Sequence, residues 1–448
     1  MPASQAASSN TPLTPEAMEA FWLPMTPNRA FKAKPRLFVA AEGMHYVEPD
    51  GRRILDGMAG LWCVNAGHGQ KRIIEAIQTQ AAKLDFVSSF QMSHPAAFEL
   101  AKRIAEIAPD GLDHVFFTNS GSESVDTALK IARGYHRARG QASRIRFISR
   151  ARAYHGMGWG GLSVSGIVRH RRDFGPLLPE VDHLPHTHDP EHAAFSRGQP
   201  QWGAHFADEL TKLLQIHDPS TIAAVIVEPV TGSGGVLPPP VGYLERLRSI
   251  CDQHGILLIF DEVITGFGRL GAAFGANAFG VTPDLITCAK GMTNATVPMG
   301  GVIVSGKIYE AMMAGPDSAV ELFHGYTYSA HPLACAAALA TLDVYQDLDL
   351  FGRARNIARV WENAAHSLKD CPHVVDIRNI GLLCAIDLRC RNNAPAARGT
   401  ECANRCYEDG ILIRGSGDTL LLSPPLIITE EQIETVFSAV RRALQAID

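Results

Sequence analysis

The chain has 448 residues, of which 46% are hydrophobic and 19% charged, which is typical of a globular protein and excludes a disordered chain. Its 41 Lys and Arg residues and 46 Asp and Glu residues give a net charge of -5 without a basic block, so the charge gives no reason to expect nucleic-acid binding. No apolar run approaches the roughly 20 residues of a membrane helix, residues 1–10 resemble no secretory signal, and nine scattered cysteines suggest no disulfide framework, so we expect a reduced, cytoplasmic protein outside membranes.

From about residue 114, short apolar runs alternate with amphipathic segments. The run 114–118 predicts a strand, and apolar residues at helical spacing over 124–138 predict the helix that follows it. The later predicted elements of this part are strands at 144–149, 221–228, 256–263, 284–290 and 300–305, a loop from about 150 to 204, and a helix near 241–254. Apolar strands separated by helices predict an α/β fold with a mostly parallel central sheet, whose ligands bind at the carboxyl ends of the strands.

After about residue 331 the pattern changes, which predicts a smaller α/β domain. Its predicted elements are a helix at 332–346, strand segments within 374–388, 411–415 and 420–428, and a closing helix after the cap-like Thr429. We therefore divide the chain into an N-terminal segment, 1–74, that joins the small domain, a large domain, 75–330, and the rest of the small domain, 331–448.

The first candidate site is a turn of small residues between a strand and a helix, with the sequence TNSGSE (118–123). Free N–H groups and the helix dipole make such a turn suitable for binding a phosphate group. Ser120 and Glu123 also fit a capping box, which would be a purely structural role.

Two charged residues stand at strand ends. Asp261 follows the apolar run 256–260, and Lys290 ends the run 284–290. Either side chain could simply be solvated at the rim of the sheet. A lysine among apolar groups, however, loses its proton more readily and becomes a nucleophilic amine.

Three further residues could face a ligand. Tyr154 and His155 follow the strand at 144–149, where an aromatic ring could stack on a planar cofactor, although loop packing would explain them equally. Arg414 stands beside small residues and could bind a carboxylate, although a surface ion pair is the commoner role of an arginine.

Other patterns are weaker. The segment 266–271 reads GFGRLG and matches a dinucleotide-binding fingerprint, but five residues separate it from the apolar run and no acidic residue follows at the right distance. Four histidines, His183, His186, His188 and His192, lie in a Pro-rich loop without the spacing of a metal site, so no metal is predicted. Cys402 and Cys406, one helical turn apart, are expected to pack rather than bind.

Together, the candidates form one coherent set at successive strand ends. A phosphate-binding turn, a stacking tyrosine, a strand-end aspartate and a nucleophilic lysine are the parts that a pyridoxal phosphate (PLP) enzyme requires. The lysine would hold the cofactor as a Schiff base, and the aspartate would keep the pyridine nitrogen protonated.

The chain resembles the class III (subgroup II) aminotransferases. The resemblance rests on VEPVTGSGGVLPPPVGYLERLRSICDQHGILLIFDEVITGFGRLG (227–271), joined by DGMAGLWCVNAGHG, CAKGMTN and HGYTYSAHP in the family's order. Within the class it most resembles the ω-amino acid:pyruvate (β-alanine:pyruvate) aminotransferases. The resemblance implies a fold-type-I PLP enzyme and an obligate homodimer with each active site at the subunit interface, and it leaves open whether two dimers associate.

The resemblance also implies roles for individual residues. Lys290 matches the Schiff-base lysine, Asp261 the pyridinium partner, and Thr327 a threonine contributed by the partner subunit. The other residues expected at the cofactor are Ser120, Gly121, Ser122, Tyr154, His155, Glu228 and Val263. The residues expected at the substrate are Trp22, Trp62, Phe90, Tyr154, Tyr326 and Arg414.

One departure from the wider class bears on the substrate. Ornithine and γ-aminobutyrate enzymes of the class carry VEPxQGE, whose last residue pairs with the active-site arginine, whereas this chain has Ser233 there. The resemblance therefore implies that Arg414 is free to bind the carboxylate of an ω-amino acid or of pyruvate. The implied reaction converts PLP to pyridoxamine phosphate and back, and yields alanine.

Several alternatives stay open at this point. γ-Aminobutyrate, longer ω-amino acids, putrescine, taurine and simple amines are possible donors. A PLP aminomutase is a remote possibility on the same fold. A nicotinamide dehydrogenase would depend on GFGRLG alone, and a non-catalytic protein would leave the pairing of Lys290 and Asp261 unexplained.

Overall fold

The computed structural model describes residues 14–448, so residues 1–10, which were considered above as a secretory signal, lie outside the described residues. The strands in chain order are β1 (Ala40–Glu42), β2 (His45–Val47), β3 (Arg53–Asp56), β4 (Leu112–Thr118), β5 (Arg146–Arg150), β6 (Val181–Leu184), β7 (Ile222–Val227), β8 (Leu257–Asp261), β9 (Leu285–Cys288), β10 (Gly300–Ser305), β11 (Val374–Ile380), β12 (Leu383–Leu388), β13 (Ile411–Leu412), β14 (Arg414–Ser416) and β15 (Thr419–Leu422).

The α-helices in chain order are α1 (Pro15–Glu19), α2 (Asn28–Ala33), α3 (Ala59–Trp62), α4 (Lys71–Lys83), α5 (Pro95–Ile107), α6 (Gly121–Ala138), α7 (Trp159–Val164), α8 (Val168–Arg171), α9 (Pro190–Ala193), α10 (Glu209–His217), α11 (Tyr243–His254), α12 (Gly275–Phe279), α13 (Gly306–Met312), α14 (Pro332–Asp347), α15 (Leu350–His366), α16 (Ala397–Glu408) and α17 (Glu430–Gln445). Three short 3₁₀ helices span Ala204–Asp208, Pro219–Thr221 and Lys290–Thr293.

A seven-stranded sheet forms the centre, with the strand order β4-β10-β9-β8-β7-β5-β6. Strands β5 to β9 run parallel to one another, whereas β10 runs antiparallel to both β9 and β4. The predicted α/β fold with a mostly parallel sheet is therefore confirmed. The reversed direction of β10 was not predicted, because an apolar run carries no information about strand direction.

Both faces of this sheet are buried, as the continuous apolar strands require. Strand β7 illustrates the alternation: Ala224 and Ile226 pack in one core cluster with Val125 of α6, whereas Val225 and Val227 belong to the cluster on the other face. Side chains therefore cover the sheet on two sides, and the carboxyl ends of its strands are left as the place where polar groups can meet.

Two four-stranded sheets complete the fold. One has the order β1-β2-β3-β13 and joins the two chain ends, because β13 pairs in parallel with β3, with Ile411 opposite Leu55. The other is antiparallel, with the order β11-β12-β15-β14. The helix predicted after Thr429 is α17, and the Thr429 hydroxyl caps it by accepting a hydrogen bond from the Gln432 N–H. The boundaries at 74 and 330 remain a prediction.

One segment departs from its prediction. Residues 150–204 were expected to form a loop, but this segment contains strand β6 and helices α7, α8 and α9. Strand β6 has four residues, lies at the edge of the sheet, and has one fully buried side chain. Such a strand lacks the continuous apolar run from which the other strands were predicted.

Candidate active site

Four elements bring polar side chains to the carboxyl end of the central sheet. Asp261 ends β8, Glu228 follows β7, Lys290 follows β9, and α6 begins just after β4. A cavity of about 180 Å³ lies where they meet. It is lined by Leu61, Ser120, Gly121, Ser122, Tyr154, His155, Gly156, Glu228, Asp261, Val263, Ile264 and Lys290.

The turn before α6 combines a helix cap with free backbone donors. The Ser120 hydroxyl accepts a hydrogen bond from the Glu123 N–H at 3.2 Å, so Ser120 caps the helix. The Glu123 carboxylate accepts from the Asn119 N–H at 2.7 Å rather than from that of Ser120, so the full capping box is not formed. The Gly121 and Ser122 N–H groups begin the helix, and no acceptor in residues 14–448 takes them. The 18-residue helix α6 therefore directs free N–H groups and the positive end of its dipole at the cavity, which suits a phosphate group.

The loop after β5 closes tightly over this turn. The Met157 N–H donates to the Ser122 hydroxyl at 3.1 Å, and Gly156 has φ of +93°. A Cβ atom on Gly156 would lie 2.5 Å from Ser122 Oγ, so only glycine fits here. Gly121 is similarly close to Val263, whose methyl groups would lie 2.9 Å from an added Cβ.

Asp261 is a buried carboxylate held from three sides. Its Oδ2 lies 2.7 Å from His155 Nδ1, and its Oδ1 accepts hydrogen bonds from the Val263 N–H at 3.2 Å and the Thr287 hydroxyl at 3.1 Å. His155 is itself buried, and its Nε2 has no partner in the described chain. These contacts fix the direction of the carboxylate, as is required of a group that pairs with a ring nitrogen.

Both carboxylate oxygens of Glu228 accept hydrogen bonds from backbone N–H groups. Oε1 accepts from the Tyr154 N–H at 3.0 Å, and Oε2 accepts from the Gly232 N–H at 2.7 Å. Burial raises the pKa of Glu228, while the neighbouring His155 acts in the opposite direction. The geometry thus gives Glu228 a role in holding the loop that carries Tyr154.

Lys290 stands in a constrained turn beside an aromatic ring. Its backbone has φ of +46°, and the following carbonyl, that of Gly291, accepts a hydrogen bond from the Tyr345 hydroxyl at 2.6 Å. Its Nζ lies 5.5 Å from the centre of the Trp62 ring. Burial lowers the pKa of Lys290, which increases the fraction of neutral, nucleophilic amine.

Arg414 approaches the same ring. Its Cζ lies 5.6 Å from the centre of the Trp62 ring, so Trp62 contacts both cations. Burial, and then the charge of Arg169, lower the pKa of Arg414. Arg414 forms no ion pair with an acidic side chain of residues 14–448, which leaves its guanidinium available for a carboxylate.

Four residues predicted for the site lie elsewhere in the chain. Trp22 is 86% exposed and Phe90 54% exposed, and neither lines the cavity. Tyr326 contacts the Thr127 hydroxyl at 3.4 Å, and Thr327 is exposed. A single chain does not bring these four side chains to Lys290, and their predicted roles would depend on a second subunit.

Three lining residues and one neighbour were missed. Leu61, Gly156 and Ile264 line the cavity although none of them was predicted for the site. Glu262 is fully buried beside Asp261 and accepts hydrogen bonds from the Thr265 hydroxyl at 2.9 Å and the Ala276 N–H at 2.8 Å. Burial raises the pKa of Glu262 to about 7. Its place next to Asp261 in the sequence was the available signal.

The GFGRLG segment has a structural explanation. Arg269 is fully buried, donates to Asn65 Oδ1 at 2.6 Å, and also donates to the Pro424 carbonyl. These two hydrogen bonds connect the segment after β8 to residues from both ends of the chain.

The histidine-rich loop brings His188 near Asp376 and Asp387, a grouping that could resemble a metal site. Arg378 already pairs with both carboxylates, at 2.7 Å to Asp387. Burial and the charge of Arg378 lower the pKa of His188 to about 4. Because the Arg378 guanidinium already occupies both acids, the grouping does not require a metal.

A larger cavity, of about 830 Å³, lies along strand β4 and helix α13. Its lining is mostly apolar and includes none of the predicted site residues. The smaller cavity is therefore the candidate active site, since it alone of the two combines a lysine, buried carboxylates and a helix N-terminus.

No helix in residues 14–448 is both long and apolar enough to cross a membrane.

The chain is similar to known proteins over nearly its whole length. The family described as aminotransferase class-III matches residues 28–444. An ω-aminotransferase of Caulobacter vibrioides is 59% identical, over 96% of this chain and 98% of that protein. A β-alanine–pyruvate aminotransferase of Pseudomonas aeruginosa is 49% identical, over 96% of each chain. The crystal structure of an amine transaminase from an uncultivated Pseudomonas species, in its PLP-bound form, has a TM-score of 0.87 and 36% identity, covering 95% of this chain and 98% of that one.

Proposed function

This chain belongs to the class-III aminotransferases, which are PLP-dependent enzymes, and on that basis we propose that it transfers the amino group of an ω-amino acid such as β-alanine to pyruvate, giving alanine and a semialdehyde. The amino group moves in two half-reactions, with the donor product leaving before pyruvate enters. Relatives named for β-alanine and pyruvate support this choice of substrates.

The single observation that carries the proposal is the arrangement of Lys290, Trp62 and Arg414. A lysine with a lowered pKa and an arginine without an acidic partner approach one aromatic ring, within 5.5 and 5.6 Å of its centre. β-Alanine carries an amine and a carboxylate separated by two carbons. The arrangement therefore offers a reacting amine at one end and a carboxylate-binding fork at the other.

The residues of the cavity fit PLP. The N-terminus of α6 suits its phosphate, Asp261 suits the ring nitrogen, and Tyr154 and Val263 line the space between them. Lys290 opens into the same cavity and would hold the cofactor covalently. When bound, PLP supplies an electron sink for the carbon that loses a proton.

The chain's own groups perform the other steps of the proposed reaction. Lys290 Nζ acts as the general base that takes the proton from the carbon bearing the amino group. Asp261, oriented by His155 and Thr287, keeps a negative charge at the far end of the cavity. Arg414 orients first the donor and then pyruvate by their carboxylates, and Trp62 shields that path from water.

We further propose that the enzyme is a cytoplasmic homodimer. None of the nine cysteines, all within the described residues, forms a disulfide, which suits a reducing compartment. Trp22, Phe90 and Thr327 are exposed in the single chain, and a partner subunit would place them at its neighbour's site. Putrescine or γ-aminobutyrate as donor is the second candidate, because relatives named for these two donors are 36% and 33% identical to this chain.

The donor half-reaction of an Arg414→Gln variant tests the assignment. Pyruvate also has a carboxylate, so the variant is compared with the native enzyme in single turnovers without it. We expect the rate constant with β-alanine at low concentration to fall about 10- to 100-fold, the effect of one lost charge-assisted contact, and that with butylamine not to fall. Arg405→Gln, at a residue paired with Glu401, is the control. Equal losses with both donors would contradict the role of Arg414.

A further inference from the structure

A second cavity, of about 300 Å³, lies beside strand β14 and outside the cavity that contains Lys290. We call it the Arg169 cavity. It is lined by Arg152 and Arg169, by three hydroxyl residues that include Ser233 and Ser416, by four glycines, and by the apolar Ile167 and Val168. No acidic residue of the described chain lines it.

The two arginines lack anionic partners. Arg169 donates one hydrogen bond, to the Ser416 hydroxyl at 3.1 Å, and forms no ion pair within residues 14–448. Arg152 is largely buried, and within the same residues its guanidinium forms neither an ion pair nor a hydrogen bond. Burial and the nearby charge of Arg378 lower the pKa of Arg152.

The carboxylates closest in the fold are already used. Asp376 and Asp387 both pair with Arg378, and the charge of Asp387 offsets part of the lowering of the Arg152 pKa without forming an ion pair with it. Because no acidic group lines the cavity itself, its two guanidinium groups give it a positive potential, which attracts anions.

The Arg169 cavity lies beyond Arg414 along strand β14. Arg414 and Ser416 are two residues apart in β14, so their side chains leave the same face of the strand about 7 Å apart. Arg414 approaches Trp62, and Ser416 binds Arg169. Ser233, which stands where related enzymes of the class have an acid, also lines the cavity.

We propose that the Arg169 cavity is a second carboxylate site, which binds the distal carboxylate of a dicarboxylic amino acid or oxo acid while Arg414 binds the other carboxylate. The inference rests on the proposed function, because it takes Arg414 as the first carboxylate contact. A dianion neutralises guanidinium groups that otherwise repel one another, and the planar fork of Arg169 suits two-point binding of a carboxylate.

Calorimetric titration of the holoenzyme with adipate and hexanoate tests the site without turnover. The two probes have the same chain length and differ by one carboxylate. We expect adipate to bind about 10- to 100-fold more tightly than hexanoate, the effect of one charge-assisted contact. Equal affinities in the native enzyme would overturn the proposal, and this comparison needs no variant.

Substitution of Arg169 tests where the second carboxylate of adipate binds. In Arg169→Gln we expect the affinity for adipate to fall by the same factor and that for hexanoate to stay unchanged. Arg172→Gln is the matched control, because Arg172 is exposed next to α8 and pairs with Asp173 outside the cavity. A similar loss for adipate in both variants, or a loss for both probes in Arg169→Gln, would show a general charge effect and overturn the proposal.

The outcome can be separated from that of the proposed function. If β-alanine serves as donor but adipate shows no preference, the second site is wrong and the function stands. If adipate binds preferentially and loses affinity in Arg169→Gln while β-alanine is no donor, the second site stands and the choice of donor is wrong.

Discussion

Glu262 is a buried carboxylic acid surrounded by hydrogen-bond donors rather than by cations. The Thr265 hydroxyl and the Gly275 and Ala276 N–H groups donate to it, and burial raises its pKa to about 7. The folded state therefore holds this proton more tightly than the unfolded chain, in which a glutamate titrates near 4.3. The stability that comes from the protonated form is present below about pH 4 and is lost as the pH rises to 7.

We expect the free energy of unfolding of the native protein, relative to Glu262→Gln, to fall by about 3 kcal/mol between pH 4.5 and pH 7.5, because glutamine does not titrate. Chemical denaturation of both proteins over this range measures the difference. Glu434→Gln, at an exposed position of α17, is the control and should follow the native curve. Parallel curves for the native protein and Glu262→Gln would contradict the assigned burial effect.

For single residues, the sequence predicts the chemistry of a side chain better than it predicts which groups that side chain contacts. Asp261 and Lys290 could be identified because carboxylates and lysines at the ends of apolar strands are uncommon and meet at one edge of a sheet. The partners of Glu228 could not be identified, since they are the N–H groups of Tyr154 and Gly232, and backbone groups leave no mark in a sequence. The unpaired state of Arg414 was inferred from Ser233, and the geometry of Trp62 between Arg414 and Lys290 required the structure.

At the scale of elements, the start of α6 and the loop after β5 form one unit. Gly156 lets the loop approach the helix, because a Cβ there would lie 2.5 Å from Ser122 Oγ and its φ is +93°. The spacing between loop and helix determines where the free N–H groups of Gly121 and Ser122 point. The phosphate binding predicted for the start of α6 therefore depends on a residue outside the helix.

We expect Gly156→Ala to weaken PLP binding by about 1–3 kcal/mol, because the added methyl group pushes Ser122 away and the backbone is strained. Equilibrium binding of PLP to the apoprotein, followed by absorbance, gives this value. Gly140→Ala is the control, since Gly140 also has a positive φ, +74°, but nothing lies within 4 Å of the added atom. The same loss of affinity in both variants would refute the role of close packing at Gly156.

The elements themselves could be predicted where burial is complete. Strands β7, β8 and β9 are buried along their whole length, so each is a continuous apolar run. Edge strand β6 has partly exposed side chains and was missed, together with the short helices around it. The antiparallel direction of β10 also could not be predicted, because it depends on pairing with β4 and β9 rather than on local sequence.

At the scale of the whole molecule, the proposed homodimer accounts for residues that a single chain leaves unused. Thr327 is exposed and does not line its own cavity, whereas Lys290 does. If each site combines Lys290 of one subunit with Thr327 of the other, two inactive variants can complement each other. Lys290→Ala removes the base, and Thr327→Asp places a negative charge beside the partner's phosphate site.

We expect each variant alone to be inactive and their refolded mixture to regain about a quarter of the native activity. Random pairing makes about half of the dimers mixed, and each mixed dimer has one intact site of two. Alanine formation from β-alanine and pyruvate is the measurement, with a mixture of Lys290→Ala and native subunits as reference. A mixture of the two variants that stays inactive would contradict a shared site.

The central claim is that this chain transfers an amino group from β-alanine to pyruvate through PLP held at Lys290. The most direct test is the visible absorbance of the holoenzyme, recorded before and after β-alanine is added without pyruvate. We expect the cofactor band to bleach, and to return when pyruvate is added, with one alanine formed per site. A cofactor band that β-alanine leaves unchanged would contradict the claimed donor, and a protein that takes up no PLP would contradict the account as a whole.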